Sequence, residues 1–336
     1  MIERLRFIDL FCGIGGFRVA TEQVCSALSF EPQCVFSSDI DPDARTVYEA
    51  NFGELPSGDI TQIEASTIPD HDVLFGGFPC QAFSIIGDRK GFDDTRGTLF
   101  FDIARILSAK RPKAFVLENV KQLVTHDKGK TLSIILETLH DLGYHAEYRI
   151  LNALDFGLPH KRERIFIVGF LQPLHFHWPS GNVLMKPLKD VLEPTVADFY
   201  YASEQIKENR RISREGKKAF SEPTIWHENK GGNIGVHPFS CALRAGASYN
   251  YLLVNGERRL TEREMLRLQG FPESFKITVG YGAMRKLAGN SVAVPVVAAL
   301  VKQVVETLGK QHLKSLQLSL FTPEHTTKET PKLLWN

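Results

Sequence analysis

Along the first 170 or so residues, short apolar runs alternate with stretches of helical spacing. The runs "LRFIDLF" (5–11), "CVFSSD" (34–39), "DVLFGG" (72–77), "AFVLENV" (114–120), "EYRILNA" (147–153) and "ERIFIVGF" (163–170) read as strands. Between them, "GGFRVATEQVCSAL" (15–28), "PDARTVYEANF" (42–52), "TLFFDIARILSAKRP" (98–112) and "TLSIILETLHDLGY" (131–144) read as amphipathic helices. Strand alternating with helix predicts a doubly wound, mostly parallel α/β sheet with helices on both faces. From about 172 to 256 the pattern breaks into Pro-, Gly-, Asn- and Ser-rich sequence with short apolar pieces, which predicts a smaller, mainly β unit. Helical spacing resumes at "LTEREMLRLQGFP" (260–272), where Thr261 and Glu264 fit a capping box. The apolar stretch 291–308 predicts a core helix, and 318–336 a flexible tail.

With 336 residues, 43% of them hydrophobic, the chain can bury one large core and a smaller one. No continuous apolar run suggests a membrane span, and the start "MIERLRFIDLFCGIGGF" lacks a cleavable leader pattern. These features predict a cytoplasmic protein with no membrane partner. The five cysteines show no Cys-x-x-Cys spacing, which argues against a metal site, and their odd number in a long chain argues against a disulfide framework. A net charge of +1 requires any DNA binder to gather its basic residues on one face. The stretches 207–218 and "HKRER" (160–164) offer material, although 207–218 reads better as a solvated helix face.

The first strand runs into "FCGIGGF", with Gly13, Gly15 and Gly16 at the strand-to-helix turn. Glycine there allows a tight turn and close approach of a ligand. Asp39 ends the second strand, where an acid can hold ribose hydroxyls, and Asp59 follows the next helix within reach of an adenine. The Gly-x-Gly-Gly spacing departs from the dinucleotide pattern and suits an adenosine cofactor without a pyrophosphate. S-adenosylmethionine fits, and the turn alone leaves other nucleotides open. Asp9 and Phe11 read here as strand residues.

Cys80, in "GGFPCQAFS" (76–84), follows the third strand at the carboxyl edge of the expected sheet, where ligands bind. Pro79 fixes the backbone before it, and 81–97 is a long polar loop of the kind that forms lids. Glu118 ends the fourth strand at the same edge. Arg162 and Arg164 are two apart and share one face if both lie on a strand. Taken singly, each has a bland structural explanation.

As an ordered set they resemble the DNA (cytosine-5)-methyltransferases, in particular the bacterial restriction-modification type. The matching pieces are "DLFCGIGGF" (9–17), Asp39, "GDI" (58–60), "GFPCQAFS" (77–84), "RGTLF" (96–100), "ENV" (118–120), "KRER" (161–164), "RRLTERE" (258–264), "RLQGFP" (267–272) and "GNSV" (289–292). The resemblance implies a catalytic and S-adenosylmethionine-binding domain over 1–185, a target-recognition domain and hinge over 186–279, and a return segment over 280–317. It implies that Cys80 attacks carbon 6 of a cytosine flipped out of duplex DNA. Glu118 would hold N3 and the amino group, Arg164 O2, and Arg162 would help position the catalytic loop or a phosphate. Phe11, Gly13, Gly15 and Phe17 would form the methionine side of the cofactor pocket, with Pro79 and Leu99. Asp39 and Ile40 would take the ribose and adenine, Asp59 and Ile60 the adenine edge, and Asn290 and Ser291 would close the pocket, S-adenosylhomocysteine being the product. DNA contacts are assigned to Gln81, Ser84, Arg96, Arg244, Tyr249 and Asn250. A restriction endonuclease acting on the same site is an implied partner. One complete site per chain predicts a monomer.

Three departures from the family pattern stand out. Ile40 replaces a tryptophan found beside the ribose acid in some relatives, Ala242-Leu243 stands where a Thr-Leu pair is common, and residue 86 is Ile. The competing readings are a tRNA cytosine-5 methyltransferase of the same superfamily, an inactive DNA-binding relative, and a nicotinamide dehydrogenase. The last requires a Gly-x-Gly-x-x-Gly turn and gives Cys80 no role.

Overall fold

The computed structural model describes residues 4–79, 99–215 and 222–321. Its centre is a six-stranded sheet in the order β2-β1-β3-β4-β7-β5. The strands are β1 (Arg4–Leu10), β2 (Glu31–Ser38), β3 (Val73–Gly77), β4 (Ala114–Val120), β5 (His145–Asn152) and β7 (Glu163–Phe170). β1 pairs in parallel with β2 and β3, and β3 with β4, while β7 runs antiparallel to both β4 and β5. The connection crosses over from β2 to β3 on the other side of β1. The order therefore reverses beside the carboxyl end of β1, where such sheets bind ligands.

The four inner strands β1, β3, β4 and β7 bury both faces, so they read as continuous apolar runs, while the edge strands β2 and β5 are partly exposed. On one face Phe7, Phe75, Val116, Phe166 and Val168 are buried in a cluster that includes Val19 and Val24 of α1 (Gly16–Leu28) and Val297, Leu300 and Val304 of α8 (Val294–Phe321). On the other, Ile8, Leu74, Leu117, Ile165 and Ile167 cluster with Ile103 and Leu107 of α3 (Leu99–Lys110) and Ile135 and Leu139 of α4 (Lys130–Asp141). α2 (Pro42–Phe52) begins at Asp41, whose carboxylate accepts the Asp43 and Ala44 amides, and it carries Pro42 in its first turn.

The broken stretch of the sequence forms a three-stranded antiparallel sheet, β11-β8-β9, from β8 (Ile225–Glu228), β9 (Ile234–His237) and β11 (Leu252–Val254). The short strands β6 (His160–Lys161) and β10 (Ser240–Cys241) pair in parallel and tie this unit to the large domain. It also holds a helix, α5 (Glu204–Ile212), which overlaps the charged stretch 207–218 read as a solvated helix face, although Arg210 in it is buried and 216–218 lie outside the described residues. Leu243, Tyr251 and Leu252 belong to the same apolar cluster as α1 and α8, so the two units share one core.

α6 (Glu262–Gln269) starts with the expected capping box. Glu264 is fully buried, and Arg258 clamps both its oxygens at 2.9 and 2.7 Å. α7 (Tyr281–Asn290) was not expected, although Tyr281, Met284, Leu287 and Ala288 keep helical spacing; it is short and carries glycine at its second and ninth positions. Two readings change. The last helix runs to Phe321, past the expected tail boundary at 318. Residues 281–309 are long and apolar enough for a membrane span by length and composition, contrary to the sequence reading. That stretch breaks between α7 and α8, and more than half of its most apolar window is buried within the fold.

Candidate active site

The turn after β1 is built on backbone that few residues adopt. Gly13 and Gly15 have φ of 53° and 82°, and Phe11, a non-glycine residue, has φ of 56°. A Cβ at Gly15 would lie 2.3 Å from the Phe52 ring, so only glycine fits there. Asp39, just past β2, organises the turn: one oxygen accepts the Gly13 amide at 2.7 Å and the other the Asp41 amide at 2.8 Å. Burial pushes its carboxyl up, opposed by those two amides. Asp9, read as a strand residue, is fully buried behind the turn, and burial pushes its carboxyl well up.

Several features of this crevice suit an adenosine cofactor. Ile40, immediately after Asp39, is 73% exposed, an apolar side chain without cover at the mouth of the crevice. Asp59 uses Oδ1 to accept the Thr61 amide and hydroxyl, at 3.0 and 2.8 Å, while Ile60 beside it is buried. Phe17 turns its ring inward, stacked on Phe75 at 5.3 Å, and floors the space next to Gly77. Ser291 comes from the far end of the chain and is buried. Its hydroxyl has no hydrogen-bond partner among the described residues and lies 3.0 Å from where a Gly16 Cβ would be. Asn290 beside it is exposed. The return segment therefore does pack against the start of α1. Leu99 opens α3, half-buried, and Pro79 is exposed at the end of the described stretch after β3.

Glu118 sits near the carboxyl end of β4, paired with Gly77 of β3 on one side and Phe166 of β7 on the other. Arg164 Nε lies 3.0 Å from its Oε1 as an ion pair without hydrogen-bond alignment. Burial raises the Glu118 carboxyl above its ordinary range, opposed by the charges of Arg164 and Arg162. Its other oxygen faces Gly77, where even an added Cβ would remain 3.6 Å away. A half-compensated acid at a sheet edge can share a proton with a substrate nitrogen. Asn119, buried next to it, donates to Phe78 O at 2.9 Å and accepts the Val120 amide at 2.8 Å. It pins the chain two residues before Cys80. The motif contained Asn119, but the sequence reading gave it no role.

Cys80, Gln81, Ser84 and Arg96 lie outside the described residues. The structure corrects Arg162. It lies between β6 and β7 rather than on a strand, so it does not share a strand face with Arg164. Its guanidinium is buried and donates to the carbonyls of Leu243, Gly289 and Ser291. Burial and the charge of Arg164 push it down to about 9. It joins the recognition unit to the return segment, and its Nε has no hydrogen-bond partner among the described residues. His160, cited only as part of a basic run, is also fully buried: Nδ1 lies 3.1 Å from Leu268 O, and Nε2 accepts the Leu243 amide at 3.2 Å. Burial and the charges of Arg162 and Arg164 hold it well below the usual histidine range. Of the run 160–164, His160 and Arg162 are thus turned into the fold, while Lys161 is exposed.

Among the proposed DNA contacts, Arg244 lies over the Tyr251 ring, its Cζ 4.7 Å from the centroid. Tyr249 is 48% exposed and stacks on Tyr281 at 5.8 Å, with Arg285 over its ring at 4.6 Å. Asn250 offers its carbonyl to Arg210. Among the described residues no group of three or more His, Cys, Asp or Glu could hold a metal ion.

The family model for C-5 cytosine-specific DNA methylases matches residues 5–306. The Type II methyltransferase M.NgoBI of Neisseria gonorrhoeae is 57% identical over 298 residues, which is 88% of this chain and 91% of that protein. M.HaeII of Haemophilus aegyptius is 51% identical over 95% of this chain and 99% of its own. The crystal structure of S. pombe Dnmt2 methyltransferase overlays with a TM-score of 0.68 at 25% identity, covering 91% of this chain and 99% of that one. The glycine turn, the buried acid–arginine pair at the sheet edge and these matches agree, and the chain belongs to the C-5 cytosine-specific DNA methylase family.

Proposed function

We propose that Cys80, Glu118 and Arg164 carry the chemistry by which this DNA cytosine-5 methyltransferase modifies a cytosine at a specific sequence. Carbon 5 of cytosine is a weak nucleophile. A Cys80 thiolate adds to carbon 6, forming a carbon–sulfur bond, and the ring electrons become available at carbon 5. Negative charge then develops toward N3 and O2. Glu118, its carboxyl raised by burial, shares a proton with N3, and Arg164 faces O2. S-adenosylmethionine, when bound, supplies an electrophilic methyl group on its sulfonium. Phe11, Gly13, Gly15, Asp39, Ile40, Asp59 and Ser291 are the residues that would hold it. Loss of the carbon-5 proton and cleavage of the carbon–sulfur bond restore the ring and free Cys80.

A base inside a duplex is out of reach of these groups, so the target is flipped out at a cost of about a few kcal/mol. The observation that carries the reading is the buried Glu118–Arg164 pair beside Gly77, on the strand whose end Asn119 ties to the Cys80 segment. The protein acts where bacterial DNA lies, in the cytoplasm, as a monomer, and a restriction endonuclease of the same specificity is its natural partner.

The test is base-resolution methylation of plasmid DNA from cells without their own cytosine methylation. Wild type is expected to methylate one short motif fully, and soluble Cys80→Ala to leave it bare. Unmethylated DNA together with methylated tRNA from wild-type cells would replace the substrate.

A further inference from the structure

The recognition unit contains a cavity of about 520 Å³ lined by Glu228, Asn229, Lys230, Arg244, Ser248 and Tyr251, among others. The nearby arginines Arg210, Arg211, Arg258, Arg259, Arg263 and Arg267 are each held by hydrogen bonds or ion pairs, Arg210 through one nitrogen only. Arg210 pairs with Glu228 and the Asn250 carbonyl, and Arg211 with Glu208 and Glu257. Arg258 is clamped on Glu264, and Arg259 donates to the carbonyls of Phe199 and Tyr200. Arg263 donates to Pro272 O and Phe275 O, and Arg267 pairs with Glu273.

Arg244 differs. Its guanidinium makes no hydrogen bond or ion pair among the described residues, yet it is held in place. It lies on the Tyr251 ring, which is only 6% exposed. The ring is itself anchored: Tyr251 Oη accepts the Arg244 amide at 2.8 Å and lies 3.3 Å from the Ala242 carbonyl, to which it donates. A planar five-donor fork is thus fixed by its face and left unpaired at its edge, at the wall of a concave polar site. Cation–π contact fixes the plane without using an N–H group. Glu228, the acid in the lining, is neutralised by Arg210 and so does not compete for the fork.

A flat, preorganised fork with open donors matches a planar pair of acceptors. In the major groove only guanine presents two acceptors side by side, O6 and N7. The geometry points to Arg244 as a specificity-determining residue that donates two hydrogen bonds to the O6/N7 edge of a guanine in the recognised sequence. This rests on the chain methylating DNA. A phosphate would accept from the same fork, but it would carry no sequence information.

Wild type, Arg244→Ala and Arg244→Lys should be assayed on duplexes of the methylated motif in which each guanine in turn is replaced by 7-deazaguanine, which lacks N7. Binding of S-adenosylhomocysteine and melting would confirm that both variants are folded. For wild type, one guanine is expected to show a roughly ten- to hundredfold loss in kcat/KM on replacement. Arg244→Ala should be indifferent at that position and should accept other bases there, and Arg244→Lys, with the charge but not the fork, should not restore the preference. Two outcomes overturn the proposal. One is a wild type insensitive to 7-deazaguanine at every position. The other is an Arg244→Ala that keeps the wild-type preference and weakens all sites alike with a shallower salt dependence, the signature of a phosphate contact. If Arg244→Ala is too slow to map, the wild-type series and Arg244→Lys decide. A wild type that methylates no DNA at all fails earlier, at the function itself, and takes this proposal with it.

Discussion

Glu118 illustrates what residue-level chemistry adds to a motif. As a letter in "ENV" it is an acid at a strand end, and a bland structural role is the natural reading. In the fold it is 7% exposed, raised by burial, and opposed by two arginine charges. Its position was legible because a strand followed by a turn places its last residues at the sheet edge. The resemblance implied a proton-sharing carboxyl, but its physical cause, burial set against the opposing charges of Arg164 and Arg162 from another strand, was not legible. The raised value sets a direction. The protonated form persists below that value and is lost as pH rises through it, so kcat should fall on the alkaline side as Glu118 ionises. Glu118→Gln, which has no proton to lose, should remove that limb and lower kcat by about 10²-fold or more. A pH series of single-turnover rates on a duplex of the methylated motif checks both points. A Glu118→Gln profile that keeps the wild-type alkaline limb would assign the limb to another group.

At the scale of elements, the alternation of strands and helices located every strand of the large sheet to within a few residues. The buried strands are continuous apolar runs and the glycine turns are punctuated. The glycine turn itself was legible as a turn but not as a fit: the Phe52 ring that excludes a side chain at Gly15 comes from the end of α2. Gly15→Ala would meet both that ring and a left-handed φ of 82°. The φ alone costs about 1–2 kcal/mol. Titration calorimetry should show S-adenosylmethionine binding at least about tenfold weaker, a factor worth roughly 1.4 kcal/mol. Unchanged affinity would mean that the turn does not shape the cofactor site. α7 was passed over because it is short and carries a glycine near each end, which mask the helical spacing of Met284, Leu287 and Ala288. Gly289 is glycine for a tertiary reason: a Cβ there would lie 2.6 Å from the Ala245 amide nitrogen.

Over the whole molecule, the sequence signalled two units but not how they join. The junction rests on buried polar groups in a run that looked like a surface patch. His160 and Arg162 bind backbone atoms of Leu268, Leu243, Gly289 and Ser291, bringing together segments from three parts of the chain. Charge runs are read as exposed by default, and only tertiary partners can overturn that. His160 is held neutral in the fold and titrates normally when unfolded. Below about pH 6.5 the unfolded chain therefore binds the extra proton, and stability falls as pH falls, by at most about 1.4 kcal/mol per unit from this group. Thermal melts from pH 7.5 to 5.5 should show that decline, and His160→Gln should melt lower at pH 7.5 but lose less on acidification. An equal decline in the variant would assign the effect to other histidines.

The meeting of Ser291 with the start of α1 also has a consequence in time. The cofactor crevice closes with residues made some 270 positions after the turn that opens it. During synthesis the glycine turn and the Glu118 strand emerge early, but the wall beside Gly16 is missing until Ser291 and Val292 have been made. A chain that stops before Ser291 therefore lacks one wall of the crevice, however well its earlier strands have folded.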